Sequence, residues 1–168
     1  MAAKQAPQVP PADRVQSSYK QLSLVAFDLN AASDELADVV SVFDAALQQL
    51  NLGISAWVAL SASNDDDGDW WTRNLGYARV GDKWGIALKT SGGNYNRPEH
   101  DSEERWLFKD APRWMRIEAV GKVPDLLEAL VKQAEETTKK IKAKTEEAYA
   151  LAEAMGRVVE EAHPAGQK

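Results

Sequence analysis

The chain has 168 residues, with twenty lysines and arginines against twenty-six aspartates and glutamates, so its formal net charge is −6. This acidic balance argues against nucleic acid or an anionic membrane as the partner, because binding phosphates needs a basic surface. No apolar run approaches the ~18 residues of a membrane span, and the N-terminal residues lack the apolar core of a signal peptide. The absence of cysteine excludes disulfides and thiolate sites, and the composition predicts a cytoplasmic protein.

The N-terminal third predicts an arm followed by a long helix. Residues 1–16 hold three of the seven prolines and predict a disordered arm. Residues 17–52 contain no Pro or Gly, and their apolar side chains recur at steps of three and four, as in a heptad seam. Gly53 is a natural stop for this helix. A second apolar stripe, which the pairing of two helices leaves uncovered, consists of Leu24, Phe27 and Ala31.

The middle of the chain predicts a small antiparallel meander of three or four strands. The strand-like segments are 54–62, 74–80, 83–89 and, as a possible fourth, 104–109. Gly81-Asp82 has the length and chemistry of a tight hairpin turn. Polar loops are predicted at 64–69 and 91–104.

A short helix and a long one follow the strands. Asp110 is predicted to cap the short helix, whose apolar side comprises Trp114, Ile117 and Val120. The long helix opens at Pro124, again with a heptad seam. About 36 helical residues span roughly 54 Å, whereas a compact domain of this size has a radius of gyration of about 15 Å. The sequence thus predicts an elongated, single α+β domain over 17–160 with projecting helices, and a flexible tail over 161–168.

Charge is uneven, and this indicates a candidate ligand site. Residues 17–52 carry one basic residue against five acidic ones, whereas 105–116 carry four basic against one acidic. Arg113 and Arg116, three apart on a helix, could clamp a phosphate or a carboxylate. The alternative is that they pair with the acidic first helix or with Glu118. The candidate ligand-binding residues are Arg79, Arg105, Arg113 and Arg116.

Two polar loops invite a metal or catalytic interpretation that the spacing does not support. Counting back from Gly68 in the acidic loop 64–69 places Asn74 at the twelfth position of an EF-hand, where calcium needs a glutamate. His100 has Glu99 and Asp101 beside it, but no second histidine or serine motif accompanies it. No phosphate loop, zinc motif or dinucleotide fingerprint occurs. We therefore predict no catalytic residue, metal or cofactor.

Six tryptophans are many for this length, and most are expected to pack beneath helices. A stacking platform for bases or sugars is the alternative. Trp70 and Trp71 are adjacent on a strand and face opposite ways, so at least one is expected at the surface or at an interface.

The leading hypothesis is a non-enzymatic adaptor or assembly protein that self-associates, or binds a protein partner, through its long helices. The alternative is a small-anion-binding protein or an enzyme that uses Arg113, Arg116 and the 91–104 loop. A heptad seam does not distinguish pairing within one chain from pairing between chains. The candidate interaction surface comprises Leu24, Phe27, Ala31, Leu151, Met155 and Val158.

Overall fold

The computed structural model describes residues 10–162, with side chains of the last helix described as far as Val158. The elements in chain order are α1 (Pro11–Gln49), β1 (Ala56–Asn64), β2 (Asp69–Val80), β3 (Lys83–Asn94), β4 (Arg97–Leu107), α2 (Arg113–Ala119) and α3 (Val123–Ala162). The predicted α+β class is confirmed: a long N-terminal helix, an antiparallel sheet, a short helix and a long C-terminal helix. The chain divides into two compact units, Met1–Ala46 and Leu47–Lys168.

Helix α1 starts earlier than the sequence predicts. It begins at Pro11, so residues 11–16 belong to the helix and not to the predicted arm. Proline suits a first turn because the N–H it lacks has no helical partner there. The helix ends at Gln49. Two residues after it have a positive φ: Asn51, at 46°, and the predicted stop, Gly53, at 61°. At the other end, α3 continues to Ala162, so residues 161–162 belong to this helix and not to the predicted tail. Residues 1–9 of the predicted arm and 163–168 of the predicted tail lie outside the described residues.

The four strands form one antiparallel sheet in the order β1-β2-β3-β4. The predicted hairpin at Gly81-Asp82 is confirmed, and Gly81 has the positive φ, 63°, that a type II′ turn needs at its first central position. Side chains alternate between two sides, which we name after adjacent β2 residues. The Leu75 face carries Arg73, Leu75, Tyr77, Ile86 and Leu88, and the Gly76 face carries Trp57, Gly76, Ala87, Lys89 and Arg105.

The prediction of a loop at 91–104 is wrong, because β3 and β4 extend through most of this segment. Likewise, β2 begins at Asp69, so the other predicted loop shrinks to a turn at 65–68. Glycine makes the extension possible: a Cβ on Gly93 would lie 1.8 Å from Asp101 Oδ1, and one on Gly92 would lie 3.2 Å from the Trp70 carbonyl oxygen. The two strands then pair through their backbones along a stretch whose side chains are mostly polar.

The core of the second unit lies on the Leu75 face. Its largest fully buried side chains are Leu75, Ile86, Leu88, Met115 and Leu126. Helix α2 lies against β3, and the first turns of α3 lie against β1 and β2. From residue 138 to residue 158, every residue of α3 is exposed.

The predicted apolar side of α2 is wrong. Its buried residues are Met115, Arg116 and Ala119, whereas Trp114, Ile117 and Val120 are exposed. The cap differs too: Pro112 takes the N-cap position and Asp110 ends a preceding 3₁₀ turn. Apolar side chains occur on two sides of this short helix, one through Met115 and Ala119 and the other through Trp114 and Ile117. The side through Met115 is the one that packs against β3.

Candidate interaction surfaces

The Leu75 face carries an arginine, Arg73, that contacts two indole rings. The Arg73 guanidinium carbon lies 4.2 Å from the centroid of the Trp71 ring and 4.4 Å from that of Trp114. Trp71 reaches it from two residues away on β2, and Trp114 reaches it from α2. No residue in the described range 10–162 forms a hydrogen bond or salt bridge with this guanidinium. Both tryptophans are partly exposed, at 36% and 50%.

The four predicted ligand-binding arginines do not converge on one site. In the strand register, Arg79 lies opposite Trp84 on the Leu75 face, whereas Arg105 lies opposite Lys89 on the Gly76 face. Arg116 is buried on α2 and Arg113 is half-buried beside Pro112. Because Trp114 reaches Arg73 on the Leu75 face, α2 and Arg105 lie on opposite sides of the sheet.

Arg105 belongs to a charged group on the Gly76 face. Its Nε donates a hydrogen bond of 2.6 Å to Glu103, and Lys89 Nζ lies 3.4 Å from the same carboxylate. Lys89 and Arg105 also lie 4.7 and 5.9 Å from the Trp57 ring centroid. Desolvation raises the pKa of Glu103, but hydrogen bonds from Arg105 and Ser91 and the charges of Lys89 and Arg105 outweigh it. The net pKa lies below the ordinary 4.5.

This lowered pKa predicts a small pH dependence of stability. Because ionised Glu103 is favoured in the fold, its contribution is present above pH 4.5 and is lost as the pH falls through the lowered value. We expect Glu103→Gln to lower the urea midpoint at pH 7, and we expect its difference from wild type to shrink as the pH is lowered below 4.5. Glu104→Gln, on the other face, is the control. A parallel response of both variants would contradict the assignment.

The far end of the sheet consists of two turns that are joined by hydrogen bonds. Asp65 Oδ1 accepts a hydrogen bond of 2.9 Å from the Asp69 amide, and Asn94 Nδ2 donates to the carbonyl of Asp67 at 3.3 Å. Trp70 stacks on Tyr95 at 6.1 Å between centroids. An open polar pocket of about 330 Å³ beside these turns is lined by Asp69, Gly92, Gly93, Asn94, Arg97, His100 and Ser102. In the described part of the chain, no three Asp, Glu or His side chains are grouped to hold a metal.

The predicted interaction residues of both long helices are at the surface. On α1, Leu24 and Phe27 are exposed at 71% and 76%, and Ala31 is exposed as well. On α3 the exposed residues are Leu151, Met155 and Val158. Further large apolar side chains are exposed beside them, namely Val15, Tyr19, Leu22, Val25 and Leu29 on α1 and Ile141 and Tyr149 on α3.

Sequence reasoning missed Arg73 as a site residue. The spacing of Trp71 and Arg73, two apart on a strand, does place both on one face and was the available signal. Trp114 lies more than forty positions later in the chain. Only packing of α2 on the sheet brings it to Arg73.

Comparisons of this chain with protein-family models, with curated proteins and with solved structures find no match. None of the helices within residues 10–162 combines the length and the apolar character needed to cross a bilayer.

Proposed function

We propose that this chain is a non-enzymatic assembly protein whose two long helices associate with those of a second copy. The observation that carries the proposal is the exposure of large apolar side chains along both helices, including Phe27 on α1 and Met155 on α3. Contiguous apolar surface of this kind marks interaction sites. Burying one such side chain contributes about 1.5–3 kcal/mol, so a few pairs can sustain an interface.

Charge complementarity favours a second copy as the partner. Between residues 21 and 46, α1 carries five acidic residues and no basic one. Between 138 and 145, α3 carries four lysines and no acidic residue. A two-fold axis that sets α1 of one copy along α3 of the other creates the same favourable contact twice. The complementary potentials also select the register of the pairing.

The test is absolute mass by light scattering on a sizing column at two protein concentrations. We expect a mass of at least twice 18.5 kDa that persists on dilution. Leu24→Ser with Phe27→Ser, and separately Leu151→Ser with Met155→Ser, should each weaken association by at least about tenfold, since each pair removes more than 1.4 kcal/mol of apolar burial.

Gln16→Ser with Gln21→Ser is the matched control on α1, because it changes two exposed polar side chains of the same helix. The control variant should retain the wild-type mass. A monomeric wild-type protein at both concentrations would overturn the proposal, and so would an assembly that both serine pairs leave intact.

A further inference from the structure

We propose that Trp71, Arg73 and Trp114 form a binding site for a carboxylate on an acidic, apolar peptide segment. The site lies entirely within the second unit, on the Leu75 face of the sheet. It is separate from the exposed residues of the two long helices. Different experiments therefore test the site and the proposed assembly, and failure of one proposal leaves the other unaffected.

Two aromatic contacts hold the Arg73 side chain in place. Its guanidinium carbon lies over both indole rings, 4.2 Å from the centroid of Trp71 and 4.4 Å from that of Trp114. The five N–H donors point outward in the plane of the group, along its edges. Contact with the two rings restricts the conformations of the Arg73 side chain before any ligand arrives, which lowers the entropy cost of binding.

The N–H donors of the Arg73 guanidinium are available to a ligand. Arg73 is only half-buried, and none of its donors is engaged by another residue of the described range 10–162. This contrasts with Arg105, whose guanidinium is occupied by Glu103. A positioned guanidinium with unused donors matches a carboxylate, which can accept two parallel hydrogen bonds.

The surroundings favour a carboxylate on a peptide over a phosphate. The chain is acidic overall. Arg73 lies opposite Thr90 in the sheet and Thr90 lies opposite Glu104, so this glutamate is two strands, or about 10 Å, from Arg73. Both the net charge and the nearby carboxylate disfavour binding of a dianion. The exposed indole of Trp114 and the exposed side chain of Ile117, one turn on, provide apolar contacts beside the charge. A segment that alternates glutamate with leucine supplies both chemistries.

The experiment follows the tryptophan indole N–H signals of the full chain by NMR, with Trp71→Phe and Trp114→Phe used for assignment. The probe is a capped hexapeptide of alternating leucine and glutamate, and its glutamine counterpart is the ligand control. We expect saturable shifts of the Trp71 and Trp114 signals with the glutamate peptide and none with the glutamine peptide. Inorganic phosphate is titrated in parallel.

Two substitutions at one position separate the donor fork from the charge. Arg73→Gln and Arg73→Lys should each reduce affinity by at least about tenfold, because neither side chain offers the bidentate fork. Arg105→Gln, on the opposite face, should leave affinity unchanged. If Arg73→Gln fails to fold, the lysine variant decides. Absence of binding, equal binding of both peptides, tighter binding of phosphate, or unchanged affinity in Arg73→Lys would overturn the proposal.

Discussion

Replacing Gly76 with alanine is expected to destabilise the sheet by about 3 kcal/mol, the upper end of typical overpacking costs. Gly76 lies opposite Trp57 in the β1–β2 register, and the indole covers its Cα. A Cβ at this position would lie 2.3 Å from Trp57 Cε3 and 2.7 Å from the carbonyl oxygen of Ala56. The second contact involves backbone, so rotation of the indole cannot remove it. Urea denaturation followed by tryptophan fluorescence measures the loss.

Gly121→Ala is the matched control for this prediction. Gly121 lies in the turn Val120–Lys122, and a Cβ there would meet nothing within 4 Å. This change should be neutral, or stabilising by about 0.5 kcal/mol, because alanine restricts the unfolded chain. Trp57→Ala removes the contact between the new Cβ and the ring but leaves the contact with the Ala56 carbonyl oxygen. In the Trp57→Ala background, Gly76→Ala should therefore cost less stability than it does in the wild type, but it should still be destabilising. Equal stability of Gly76→Ala and Gly121→Ala would show that β1 and β2 do not approach this closely.

Local patterns in the sequence were sufficient for the order and type of the elements. The Gly81-Asp82 hairpin was predictable because a two-residue turn needs a positive φ that glycine supplies without strain. The alternation of Trp84, Ile86 and Leu88 correctly placed these three residues on one face. Both long helices were predictable because a seam with steps of three and four residues is a strong signal over about forty residues, even though polar residues interrupt it in the middle of α3.

Elements that depend on pairing were not predictable in extent. Between Ser91 and Glu104 the strand residues of β3 and β4 are polar or glycine apart from Pro98, so they carry no hydrophobic signal, and their strand conformation follows from backbone pairing with neighbours. The four predicted arginines illustrate the same limit for the site. A count of charge along the chain ignores which face of a strand a residue occupies, and so it grouped Arg79 with Arg105 across the sheet.

Truncating Met115 to alanine is expected to cost about 2–5 kcal/mol, the range for methionine in a closed core. Met115 is fully buried, and Ala119, one turn further along α2, is buried beside it on the same side of the helix. The sequence instead favoured Trp114 and Ile117, since these are larger and also recur at helical spacing. The two lines differ by one residue, or about 100° around the helix. Urea denaturation of the variant measures which line faces the sheet.

Ile117→Ala is the opposing control, because Ile117 is 65% exposed. It should change the free energy of unfolding by less than about 0.5 kcal/mol, as surface substitutions do. The reverse result, a severe loss for Ile117→Ala and a mild one for Met115→Ala, would mean that α2 is rotated onto the predicted line. That rotation would also carry Trp114 away from Arg73 and bury it against the sheet. The stability of these two variants therefore tests the geometry on which the carboxylate site depends, independently of any ligand.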